Sequence, residues 1–190
     1  HNVSSAASDV YKRQINKYLL KAVIDFLVES SMKQDKLAYQ YYLLNVLNDR
    51  GLDQFIVNSL KETQQIYDKE EIRDGHYYYH QFRFHEFAFG WTLEHQNRKI
   101  DVGIETAIDS FEHFYIIEKL RLACASLNRQ MILAEETEIR FMKEILEYCE
   151  SIDLGPIPVL HVYYLIYQML VHASKEGEPY FFRMRSLLPS

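Results

Sequence analysis

Residues 102–131 read VGIETAIDSFEHFYIIEKLRLACASLNRQM. Ile104, Ile108, Phe111, Tyr115 and Leu122 recur at the three- and four-residue spacing of one helical face, and Phe114, Ile117, Cys124 and Leu127 form a second stripe with the same period. A helix with two apolar stripes needs cover on two sides. This stretch therefore predicts an inner helix of an all-α fold.

The same period extends in both directions. Downstream, Thr137–Glu150 places Ile139, Met142, Ile145, Leu146 and Cys149 on one side. Gly155, Pro156 and Pro158 break the chain before Ile157–His172, which is apolar nearly all round. Gly177 and Pro179 introduce a short last helix. Upstream, Asp74–His95 carries Tyr78, Phe82 and Phe89 on one side and Tyr77, Phe84, Ala88 and Trp91 on another. Asp53–Lys69 is one-sided, with Phe55, Ile56, Leu60, Thr63 and Ile66 inward and Lys61, Glu62, Gln64 and Gln65 in water. Asp35–Arg50 keeps Leu37, Tyr41, Leu44 and Leu47 in register and ends at Gly51. Ile15–Glu29 sets Leu19, Val23, Phe26 and Leu27 on one face, and Ser30–Gln34 is predicted as a connector.

No strand pattern competes, and only 6 Gly and 4 Pro punctuate the chain. Short connections predict antiparallel neighbours. One-sided helices mixed with two-sided ones predict helix pairs stacked in an α-α superhelix of about eight helices. The chain resembles tetratricopeptide-type helical-repeat proteins in a divergent form. The resemblance rests on helix pairs such as Asp35–Lys69 and Thr137–His172, and on the echo between Tyr41-Tyr42-Leu43-Leu44 and Tyr163-Tyr164-Leu165-Ile166. The Trp-Leu-Gly-Tyr start of that family does not recur at a fixed period. The resemblance implies an α-solenoid whose extended surface binds protein or peptide.

Ser4–Gln14 looks like the translation of a transposon-end adapter used in DNA library preparation. Residues 1–14 are therefore expected to be an extraneous tail. Residues 15–190 are expected to form a single helical domain, either whole or a fragment of a longer helical chain.

Composition narrows the function classes. The net charge of -6 repels phosphate, and Lys119, Arg121 and Arg129 are diluted by apolar residues, so no nucleic-acid partner is expected. Hydrophobic content of 48% argues for a packed core. Aromatic content of 14% requires burial or an interface. Ile157–Val171 is shorter than the roughly 20 residues of a membrane span, and carries His161, three tyrosines and Gln168. Cys124 and Cys149 lie far apart on apolar faces and read as small buried hydrophobes in a reducing, cytoplasmic setting; the alternatives are a disulfide or a reactive thiol.

Chemistry-bearing patterns are sparse. His76 and His80 share a face at the four-residue spacing that can hold one metal ion. His85 lies about 140° round the helix from His80, and Asp74 is the nearest carboxylate. The alternative places these histidines at the polar margin of an aromatic helix. His85-Glu86 begins a zinc-protease pattern, but Phe89 stands where the second histidine belongs. None of the eight histidines has a glutamate three residues before it, as a diiron bundle requires. Asp109, Glu112, His113 and Glu118 share one helix and fit surface charge pairing. Tyr77, Tyr78 and Tyr79 point about 100° apart and fit packing better than a flat platform. Lys119, Arg121, Asn128, Arg129 and Gln130 interrupt apolar faces and read as structural polar contacts or as the lining of a groove.

No catalytic, cofactor or metal residue is assigned. The expected function is a non-catalytic helical scaffold that binds a protein or peptide. The alternative is a helical enzyme or metal protein with a site built from dispersed residues, His76 and His80 first among them.

Overall fold

Helix ends in this chain follow from a few side chains. Asp35 accepts a 3.0 Å hydrogen bond from the Ala38 N–H, and Asp74 accepts one of 2.9 Å from the Tyr77 N–H. Each satisfies a donor that the first turn of a helix leaves open. Gly51 adopts φ 63. The Gly51 and Leu52 N–H groups turn back to the carbonyls of Asn48 and Leu47, both at 2.9 Å, which closes the preceding helix. Pro158 sits in the first turn of its helix, where a missing N–H breaks no bond.

The computed structural model describes the backbone of residues 2–95, 103–133 and 139–172, and the side chains of residues 11–95, 103–129 and 139–172. Among the described residues the fold is all-α, with helix pairs and no strand. The helices are α1 (Asn2–Gln34), α2 (Lys36–Asp49), α3 (Asp53–Lys69), α4 (Gly75–Glu94), α5 (Ile104–Leu133), α6 (Met142–Ser151) and α7 (Pro158–Val171). The helix predicted after Gly177 lies outside the described residues, as does Thr137. The predicted connector Ser30–Gln34 is helical instead, and so is Ser4–Gln14. Neither segment contains a glycine or proline, and Glu29 and Lys33 bridge adjacent turns at 2.7 Å.

Contacts cluster into two units, residues 1–66 and 67–190, with the boundary inside α3. In the first unit α2 pairs with α3. Leu37 and Leu44 of α2 and Ile56, Leu60 and Thr63 of α3 are buried. The Thr63 hydroxyl lies 3.3 Å from Gln40 Oε1 and donates to the Ser59 carbonyl at 2.7 Å. Phe55, expected inward, is half exposed. α1 departs further from expectation. Leu19, Val23, Phe26 and Leu27 are all exposed.

In the second unit α4 and α5 run antiparallel. Tyr78 meets His113, Tyr79 meets Phe114 and Phe82 meets Phe111, at ring separations of 5.0, 5.2 and 5.1 Å. The Ser110 hydroxyl donates to Gln81 Oε1 at 3.1 Å. α7 packs on α5, with the Cys124 thiol 3.7 Å from the Tyr163 carbonyl. The core gathers Tyr67, Phe84, Trp91, Ile117, Leu120, Leu160 and Leu165. The Tyr77, Phe84, Ala88 and Trp91 side of α4 is buried, as its sequence predicts, whereas on the other side Tyr78 is buried and Phe82 and Phe89 are half-buried. α5 departs from the two-sided expectation. Ile117 and Cys124 of its second stripe are buried, but Ile108, Phe111, Tyr115 and Leu122 of the first are exposed. The covered side of α5 centres on Ile116, Ile117, Leu120 and Ala123, where α4 and α7 pack.

Candidate functional site

The uncovered stripe of α5 borders a groove shared with α6. Tyr115 and Ile116 line one side, and Ile145 and Tyr148 the other. Phe141 also lines it, and the volume is about 370 Å³. Ile116 and Ile145 are buried, so the groove has an apolar floor. Its charged lining residues are both acidic, Glu112 and Glu144. Burial raises the Tyr148 phenol above its ordinary range, and the nearby carboxylates of Glu112 and Asp109 push the same way.

Phe141 stands out twice. It holds φ 64 and ψ 13, a left-handed conformation that costs a side chain with Cβ about 1–2 kcal/mol. Its ring is nonetheless 63% exposed. The preceding turn thus presents a large apolar side chain to water at the groove, in a strained backbone that a glycine would adopt freely.

A second groove, of about 420 Å³, lies in the first unit between α1 and the start of α2. Asp25, Glu29, Lys33, Val28, Met32 and Tyr39 line it. Its charges are of both signs, and Lys33 is already bonded to Glu29 at 2.7 Å. With that pair formed, its remaining charged lining residue is Asp25.

The residues singled out in the sequence fall elsewhere. His76 and His80 do approach, with ring centroids 4.4 Å apart; His76 is exposed and His80 buried. His85 is 6% exposed, and neither ring nitrogen has a hydrogen-bond partner among the described residues. Burial pulls its pKa down to about 4, against a weaker opposing pull from Asp68. It is a neutral core imidazole beside Phe84, their rings 4.9 Å apart. His113 is also lowered by burial, while Asp109 and Glu112 raise it less.

Cys124 and Cys149 are free, buried and pushed up to about 11 by desolvation, so both hold their protons at neutral pH and are poor nucleophiles. Tyr77 and Tyr78 are buried in ring contacts with Tyr67 and His113. Arg121 is engaged with Glu118 at 2.7 Å on the exposed side of α5, and Asn128 and Arg129 are exposed as well. The Gln130 side chain lies outside the described residues. Comparison of the chain with protein-family models, curated proteins and solved structures found no match. No described helix is long and apolar enough to cross a membrane.

Proposed function

We propose that this protein is a non-catalytic helical scaffold that docks a protein or peptide partner. One observation carries the reading. α5 leaves Ile108, Phe111, Tyr115 and Leu122 at 40–56% exposure along one side while its other side is packed. Scattered exposed apolar residues need no explanation, but several large ones aligned on one helix face support an interaction surface. A stacked or paired helical frame supports this role because it holds the stripe rigid. Both thiols favour the protonated form, and His85 is enclosed in the core, which supports a non-catalytic reading.

A peptide-display selection against the immobilised protein tests it. Enriched binders should lose affinity for an Ile108→Ser/Leu122→Ser variant that keeps its helical circular dichroism. Binders indifferent to that variant would place docking elsewhere. A selection that enriches nothing would argue against the scaffold. The second reading, a metal site, draws support from the His76–His80 approach at 4.4 Å. Stoichiometric zinc in protein purified without chelator, lost on His80→Ala, would put it first.

A further inference from the structure

The two grooves differ in what they could select. That of the first unit carries both charge signs, two of its ionic groups already paired. That of the second unit is apolar within, and its two charged lining residues are glutamates from different helices. The basic residues of the same elements lie outside the lining. Arg121 is held by Glu118 at 2.7 Å, and Lys143 lies 3.7 Å from Glu147. Lys119 and Arg140 do not line the groove either. Such a groove disfavours an acidic ligand through uncompensated repulsion, and favours one that brings cations to its rim.

Shape adds to charge. Ile108, Phe111 and Tyr115 cover about 10 Å of α5 at the helical rise, and Leu122 resumes the stripe two turns on, past Glu118 and Lys119, for about 21 Å in all. Tyr115 belongs both to this stripe and to the groove wall. A ligand helix laid here would set apolar side chains at successive turns against the stripe and the groove. Phe141, exposed and in a strained backbone, would gain cover on binding. Resting on the docking reading above, we infer that the α5–α6 groove binds a basic amphipathic helical segment of a partner protein. Its apolar residues pack over Tyr115 and Tyr148, and its lysines or arginines meet Glu112 and Glu144.

The test uses two labelled helical peptides of about 18 residues, long enough to span the stripe. Both carry leucine along one face; one carries lysine elsewhere and the other glutamate. Fluorescence anisotropy with the full chain at physiological salt is the readout. The lysine peptide binds and the glutamate peptide does not. Glu112→Gln/Glu144→Gln weakens binding about tenfold, the scale of two partly screened ion pairs. Glu62→Gln/Glu71→Gln removes the same charge from exposed positions elsewhere and leaves binding unchanged. Tyr115→Ser, with helical circular dichroism intact, abolishes it.

Equal loss in both glutamine variants would reduce the effect to net charge and overturn the groove assignment. Tight binding of the glutamate peptide would overturn the charge inference but leave the docking reading standing. If neither peptide binds while selected binders still depend on Ile108 and Leu122, the groove inference falls alone. If selection also fails, both fall. Sedimentation showing a dimer that Tyr115→Ser dissolves would make a second copy the occupant. Lysine-peptide binding that appears only after residues 173–190 are removed would make the chain's own end the occupant. Either result overturns a foreign partner.

Discussion

α1 and α7 are both rich in apolar residues on more than one side, yet one is exposed and the other covered. Tyr18, Leu19, Leu20, Phe26 and Leu27 of α1 are 58–73% exposed, while Leu160 and Leu165 of α7 are 0% exposed. The difference lies in the neighbours. α7 has α5 to pack against. α1 lies beside α2, which also pairs with α3. Periodicity tells which side chains are expensive to leave in water. Which of them find cover depends on how many other helices share the unit.

Replacing a covered leucine should produce the largest effect. Leu165→Ala deletes a fully buried side chain and should cost roughly 2–5 kcal/mol, a large part of a stability of about 5–15 kcal/mol. Urea midpoints measure it. A Leu165→Ala midpoint within error of the parent protein would mean that α7 is not packed in solution, and the contrast with α1 would disappear.

The core also contains a titratable group that tests its dryness. The folded protein keeps His85 neutral down to about pH 4, whereas its ordinary pKa is 6.5. Between these values the unfolded chain binds a proton that the folded one does not, so unfolding is favoured by acid. The contribution is complete above pH 6.5 and is lost as pH falls, reaching on the order of 3 kcal/mol at pH 4. His113 shifts in the same direction. The window from 6.5 to 5 is the clean one, since carboxylates titrate below it. His85→Leu should flatten the dependence of the urea midpoint on pH there. An unchanged slope would show that His85 is hydrated.

Much of this organisation could be read from the chain before its structure. Asp35, Gly51, Asp74 and Pro158 mark the ends of α2, α4 and α7 through local chemistry, which short sequences encode directly. The burial of Tyr77, Phe84 and Trp91 on one side of α4 and of Tyr78 on the other followed from its surplus of aromatics. The exposed stripe of α5 did not, because a stripe has the same period whether a helix packs on it or water does. The groove was harder still. Tyr115 and Glu112 appeared on one helix, and Ile145 on another, but their juxtaposition depends on how α6 lies beside α5. Phe141 gave no signal, since a left-handed phenylalanine is imposed by tertiary context. An apolar stripe left over on a helix that already has one covered side was the clue available.

Phe141 offers a smaller test of the second unit. Phe141→Gly removes the left-handed penalty and little buried area, since the ring is 63% exposed. The gain of about 1–2 kcal/mol from relieved strain is offset in part by the added freedom of glycine in the unfolded chain, leaving a net stabilisation of about 0.5–1 kcal/mol. The same variant should weaken lysine-peptide binding, because the ring lines the groove. A destabilised protein would show that Phe141 packs in solution, and would remove the argument that it is held out for a ligand.

The smallest expected effect returns to α1. Leu19→Gln and Leu27→Gln exchange residues of nearly equal helix propensity. Both leucines are mostly in water, so neither change opens a cavity. Each should move stability by no more than about 0.5 kcal/mol, the range of ordinary surface substitutions. The urea midpoint should also be independent of protein concentration. A loss near 2 kcal/mol in either variant would mean that this face is covered in solution. If that loss grew with protein concentration, the cover would be a second molecule, because association stabilises only the assembled form. A loss independent of concentration would place the cover within the same chain. α1 and α7 would then obey one rule, and the contrast between them would vanish.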